Sequence, residues 1–286
     1  NEGKAIKTHV NVVHLNPALP DVQAHLRKVV GEIVDMYPEL DGVCLTDARY
    51  PSRTVSQPQS VHKRYRERAN HNLLTFDDWQ REQLTRLVGN LRAEIATRKP
   101  GMLMLARVAP LYYNDVIDTG PVVQGGFGQY LEDSVAWVRS GAVDLLIPDL
   151  CNISGFPSEQ QDAAPAAVFA DRIKDWTESV GKDRVAAGIW IGGSVPVPVR
   201  SYREDPRSIE SSVDRVRAAR ELGVGVVALG HSIGSASEWK FAREKLFPAK
   251  ASFPGIDGAL DKSGAVTGVV LDQSGKPVAD AVVRVE

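Results

Sequence analysis

The sequence predicts an α/β fold with a buried parallel sheet, and three observations carry that prediction. Five short stretches are apolar at nearly every position, as strands covered on both faces are. Each follows a segment whose apolar residues recur at helical spacing, so helix and strand alternate five times. Polar residues then gather just past the carboxyl ends of the strands, at Asp47, Arg107, Asp149, Ser194 and His231. Open doubly wound sheets and closed barrels both place their sites there, so the pattern locates a cleft without choosing between them.

The first helix is expected over 21–37, where Val22, Leu26, Val29, Val30, Ile33 and Val34 share a face, with Asn16 before Pro17 as its cap. The strand "DGVCL" (41–45) then runs into Thr46, Asp47, Arg49 and Tyr50 before Pro51 stops it, as a buried strand does when it delivers polar groups to a rim. A second helix over 75–98 carries Trp79, Leu84, Leu87, Val88, Leu91 and Ile95 on one face. Its opening "TFDD" resembles a capping box, with Asp78 in the place usually held by glutamate. "MLMLARVAP" (102–110) is the second strand. "QGGFG" (124–128) has no strand immediately before it and reads as a loop. A helix over 129–140, closed by Gly141, precedes the third strand, "VDLLIPDL" (143–150). A helix over 164–180, ended by Gly181, leads to "VAAGIWIGG" (185–193). A helix over 208–222, ended by Gly223, leads to "VGVVALGHS" (224–232), and a helix over 236–246 completes the series.

Composition narrows the function classes. With 286 residues, 43% of them hydrophobic, the chain can bury one large core with room for a small appendage. Its 34 basic and 36 acidic side chains nearly cancel, and a net charge of −2 gives no global field for nucleic acid. The one basic cluster, "HKRYRER" (62–68), carries its own glutamate and reads as a solvated loop or helix face. No apolar run approaches the ~20 residues of a membrane helix. Cys44 and Cys151 lack CxxC spacing and are expected to be buried thiols. The histidines form no HxH or HxxxH pair and no carboxylates have calcium-loop spacing, so no metal is expected. No GxGxxG follows a strand, and no cofactor is expected either. "GHSIG" (230–234) spells a nucleophile elbow around Ser232, but no histidine follows it to complete a triad in the required chain order.

The choice of architecture comes from a resemblance. Residues 14–51, "HLNPALPDVQAHLRKVVGEIVDMYPELDGVCLTDARYP", resemble the approach to the fourth strand of a bacterial glycosyl-hydrolase-like family related to the family-10 glycosidases, which are (β/α)8 enzymes. Asn-Pro-Ala-x-Pro-x-Val, a helix, an Asp-Gly and a strand ending in acid-x-x-Tyr-Pro recur there in the same order. The similarity continues more weakly through "DDWQREQLTRLVGNLRAEI" and "VDLLIPDL". It implies that residues 1–247 form five units of a TIM-type barrel, its fourth to eighth strands. Five strands cannot close a barrel, because strand number, tilt and shear are linked. The first three strands are therefore expected from the same polypeptide or from a companion fragment. Residues 264–286 alternate with period two around a Ser-Gly-Lys-Pro turn and resemble the first hairpin of a carboxypeptidase-regulatory-like β-sandwich, a module common behind secreted bacterial enzymes. Residues 248–263 are then the linker, and the protein is expected outside the cytoplasm.

The resemblance also implies the chemistry. Glycoside hydrolysis uses two carboxyl groups, one protonating the leaving oxygen and one serving as nucleophile or as base toward water. Asp47 is the first candidate. The family's fourth strand ends in two adjacent aspartates, and Thr46 stands in place of the first. Asp149 is the second, at a position where the family more often shows an amide, while "IWIGGSVP" has no acid where related glycosidases place their nucleophile. Expected contacts to a polysaccharide are Asn16, Arg49, Arg107 and His231 by hydrogen bonding, and Tyr50, Tyr112, Tyr113 and Trp190 by stacking. Two readings stay open: a hydrolase acting through Asp47, or a catalytically silent relative that binds polysaccharide or serves as a surface scaffold. Two acids ~5–9.5 Å apart across a groove favour the first, and an isolated Asp47 locked onto an arginine favours the second.

Overall fold

A computed structural model of the chain describes residues 6–7, 13–67, 70, 72–113, 125–150, 165–190, 209–230, 240, 243–249, 273–274 and 276. Two short antiparallel strands open it, β1 (Ile6–Lys7) and β2 (Val13–His14). Helix α1 (Pro20–Met36) starts on a proline whose missing N–H needs no partner in the first turn. Asn16 does not cap this helix; its Oδ1 accepts from the Ala18 amide at 3.0 Å and so closes the turn ahead of it.

Strand β3 (Gly42–Leu45) follows, then α2 (Gln59–Glu67) and α3 (Phe76–Arg98). Thr75 caps α3 by accepting from the Asp78 amide at 3.2 Å, and its hydroxyl donates to the Asp78 carboxyl at 2.6 Å. Helix α2 buries Val61 against Ala18 and Trp79 and leaves Lys63 and Arg66 at the surface. The basic cluster is thus a helix face.

Strand β4 (Leu103–Val108) pairs in parallel with β3, Gly42 opposite Leu103 through Leu45 opposite Ala106. Strand β5 (Leu145–Pro148) pairs with β4. A parallel bridge from Leu146 to Val185 continues to β6 (Ala186–Trp190), which pairs with β7 (Val226–Gly230). Gly188 of β6 lies so close to the Pro148 carbonyl that a Cβ there has no room. Each strand from β3 to β7 therefore neighbours the next one in sequence, all in one direction. A doubly wound sheet reverses its order at a switch point, and the described strands do not. The order is that of a barrel wall.

Helices α6 (Pro165–Val180) and α7 (Ile209–Glu221) cover the later strands. The core joins the Leu84, Leu87, Val88, Leu91 and Ile95 face of α3 to Met104, Ala106 and Val108 of β4 and to Phe169, Ile173 and Trp176 of α6. Along β4 burial alternates, with Leu103, Leu105 and Arg107 only half-buried on the opposite face. Cys44 stands opposite Leu105 on that same face and is exposed, contrary to the expectation of a buried thiol. Cys151 lies outside the described residues.

The single helix expected over 129–140 is two. Helix α4 (Gly126–Gln129) and α5 (Ser134–Arg139) are separated by a turn in which Leu131 takes φ 55. Asp133 forces the break, because its Oδ1 caps α5 at the Ala136 amide, 3.1 Å away. "QGGFG", expected as a loop, contributes the first residues of α4. Of the helix expected over 236–246, residues 240 and 243–246 are described and helical. The residues of the linker and the hairpin lie almost wholly outside the described set.

Candidate active site

The carboxyl end of β3 supplies the first acid. Two residues past the strand, Asp47 takes φ 55, a left-handed conformation that aspartate tolerates better than most residues. The turn this makes is closed by the Arg49 amide donating to the Asp47 carbonyl at 2.8 Å. The Arg49 guanidinium donates to Asp47 Oδ1, also at 2.8 Å, and lies over the Tyr130 ring at 4.6 Å. Asp47 keeps 60% of its side chain in solvent despite this bond, against 27% for Arg49.

The loop after β3 is tied to the turn between α4 and α5. The Tyr50 amide donates to the Tyr130 carbonyl at 3.0 Å, and the Arg53 amide to the Gln129 carbonyl at 2.7 Å. At the next strand end Arg107 donates to Asp149 Oδ2, and the Asp149 amide reaches back to the Val108 carbonyl at 2.9 Å. Asp149 Oδ1 is buried with no hydrogen-bond partner among the described residues.

At the exit of β4 lies a carboxyl that the sequence did not single out. Glu132 is 1% exposed, and its Oε1 accepts from the Ala109 amide at the exit of β4, 3.1 Å away. Burial pushes it up to about 7, while the Ala109 amide and the Arg49 charge hold it down and Asp47 pushes it up further. Its own amide donates to the Gly126 carbonyl at 2.9 Å, and a Cβ on Gly126 would meet Oε1 at 2.9 Å, so α4 comes this close only because residue 126 is bare. The sequence "YLEDS" carried one usable signal, an aspartate able to cap a helix at 134. Nothing local announced that the preceding glutamate turns inward.

The remaining candidates divide. Tyr112 is half-buried, donates to Asp133 Oδ1 at 2.9 Å, and packs edge-on against Phe127 and Trp176. Its hydroxyl is pushed up by burial first and by the Asp133 charge second. Tyr113 is exposed beside it, 5.9 Å from Phe127. Two expectations are corrected. Tyr50 is fully buried, its hydroxyl raised by that burial, and it offers no stacking face. Asn16 is buried too, its Nδ2 donating to Gln57 Oε1 at 2.7 Å, which leaves its amide engaged on both sides. Trp190 ends β6, but its side chain, like Ser194, His231 and Ser232, lies outside the described residues.

Comparison with known proteins decides the family. Residues 2–194 match the glycosyl hydrolase-like 10 family along most of the wall and the rim just described. The chain belongs to that family. Within the glycosyl hydrolase-like 10 family and its curated relatives, the chain is similar to glycosyl hydrolase YngK of Bacillus subtilis, with 21% identity over 94% of this chain and 53% of YngK. It is also similar to glycosyl hydrolase DigH of Escherichia coli, with 25% identity over 51% of this chain and 33% of DigH. The chain thus spans about half the length of YngK and about a third of DigH. Among solved structures, the glycoside hydrolase domain of PgaB (BpsB) from Bordetella bronchiseptica superposes with a TM-score of 0.56 at 13% identity, covering 85% of this chain and 69% of that one. At that identity the likeness establishes a TIM-barrel-like fold alone. Among the described residues no helix is long and apolar enough to cross a membrane.

Proposed function

We propose that the protein hydrolyses glycosidic bonds of a polysaccharide at the rim formed by the ends of β3, β4 and β5, with Asp47 as the acting carboxylate. The observation that carries this is Asp47 itself, an exposed acid held in a left-handed turn just past a strand of a glycosyl hydrolase-like wall. Backbone strain of this kind gathers at functional sites, because only a fold that over-determines the turn keeps it. Asp149, held by Arg107, is the second carboxyl of the reading, and Arg49, Tyr112, Tyr113, Trp190 and His231 are its carbohydrate contacts. In this reading β3 to β7 are the fourth to eighth strands of the barrel, which act with three further strands. In the same reading the protein works outside the cytoplasm.

A silent, polysaccharide-binding relative is the second reading, favoured by the bond between Arg49 and Asp47 and by Thr46 in place of an acid. Neutral, amino-sugar and uronic-acid polysaccharides incubated with the protein separate the two. New reducing ends from one class establish the hydrolase. Binding by calorimetry with no new reducing ends establishes the silent relative.

A further inference from the structure

A single hydrogen bond between two side chains leaves both able to turn about it. Arg49 Nη2 donates to Asp47 Oδ1 at 2.8 Å, and 60% of the Asp47 side chain stands in solvent, so this bond by itself does not fix where the carboxylate points. A second contact removes that freedom. The Arg49 guanidinium lies over the Tyr130 ring, its Cζ 4.6 Å from the ring centre. An aromatic face attracts a guanidinium through its negative quadrupole, while the N–H donors lie in the guanidinium plane and stay available to a carboxylate. An acid beneath Arg49 would instead draw those donors away from Asp47.

Tyr130 is itself held in place. Its carbonyl accepts from the Tyr50 amide at 3.0 Å, and its own amide donates to the Gly126 carbonyl at 3.2 Å. Leu131, next to it, is fully buried at φ 55, and Glu132 beyond that accepts from the Ala109 amide at the exit of β4, 3.1 Å away. A buried non-glycine residue keeps the left-handed conformation only where the surrounding structure insists on it. The ring under Arg49 is thus tied, through two residues, to the end of β4. We propose that Tyr130 is a positioning residue: its ring seats Arg49, and through Arg49 it sets the direction of the Asp47 carboxylate at the rim. The role rests on the reading of this rim as the reacting one. Neighbouring groups do not supply that seat. Arg107 and Asp149 hold one another, Tyr112 is bonded to Asp133, and Arg81 lies over Phe127.

The test joins NMR of the arginine side chains with kinetics, both on the whole protein. The Arg49 guanidinium resonances, assigned by their absence in Arg49→Gln, should lie upfield under the ring current of Tyr130. They should keep that shift in Tyr130→Phe and lose it in Tyr130→Leu. On a polysaccharide the wild type cleaves, Tyr130→Leu should lower kcat about tenfold with KM within about twofold, and Tyr130→Phe should restore it. Added to Arg49→Gln, Tyr130→Leu should lower kcat by less than about twofold more, because its effect passes through the missing guanidinium. Should Tyr130→Leu fail to fold, phenylalanine and trifluorophenylalanine at position 130 keep the ring's shape, and kcat should fall with fluorination as the negative face is lost. Arg49 resonances unmoved by Tyr130→Leu, an equal loss of kcat in both backgrounds, or a kcat indifferent to fluorination overturns the proposal. Resonances that move as expected in a protein that cleaves nothing support the seat and remove the hydrolase reading instead.

Discussion

The two ends of the same three strands are built on opposite terms. At the amino end, Arg92 and Asp144 form an ion pair of 3.0 Å with side chains 8% and 0% exposed, and every group has a further bond. Arg92 also donates to the Met102 carbonyl at 2.8 Å, and Asp144 Oδ2 accepts the Met104 amide at 2.8 Å. Lys99 closes the same end by donating to the Pro38 and Leu40 carbonyls. At the carboxyl end Asp47 is bonded to Arg49 yet remains largely in solvent, Asp149 keeps a buried oxygen unpartnered among the described residues, and Glu132 is an acid buried against the Ala109 amide. Two of the three non-glycine residues with positive φ among the described residues, Asp47 and Leu131, sit there as well. A fully satisfied charge network locks one end of the sheet. The other end retains strained backbone and incompletely partnered acids, as a parallel barrel does where its chemistry lies.

That contrast is open to direct attack. The largest effect is expected at the amino end: Asp144→Ala leaves Arg92 buried without its partner and should cost about 3–5 kcal/mol in urea unfolding. A loss below 1 kcal/mol would erase the distinction between the ends. The next belongs to Glu132. Its folded form holds a proton that the unfolded chain gives up near 4.5, so stability falls as pH rises from about 4.5 to about 7 and is level above. Glu132→Gln removes that penalty and should be more stable than wild type at pH 8, by about 3 kcal/mol, with little difference at pH 4.5. Greater stability of the wild type at pH 8 would reverse the sign and the argument. The smallest effect is Asp47→Gly, in which relief of the left-handed strain offsets the added freedom of the unfolded chain, for a net change within about 1 kcal/mol. A marked loss of stability there would show that Asp47 holds the fold together.

The wall of the barrel was legible because each strand is a local apolar run bounded by polar residues. "DGVCL", "MLMLARVAP" and "VDLLIPDL" contain β3, β4 and β5. Thr75 and the glycines at 181 and 223 marked helix ends by local chemistry alone. The rim was legible in part. Asp47, Arg107 and Asp149 could be placed by counting from strand ends, but their pairing could not, since the partner of Arg107 is 42 residues away. Burial of Asn16 and Tyr50 depends on contacts with Gln57 and with the turn at Tyr130, which no window around either residue contains. Glu132 was invisible for the same reason: its inward turn is set by an amide 23 positions earlier in the chain.

The account turns on Asp47 acting where Asp144 only supports. Turnover of Asp47→Asn on a polysaccharide the wild type cleaves, measured beside its urea midpoint, tests this most directly. Release of reducing ends should fall by about a hundredfold or more, with the midpoint unchanged. Wild-type turnover in that variant would contradict it.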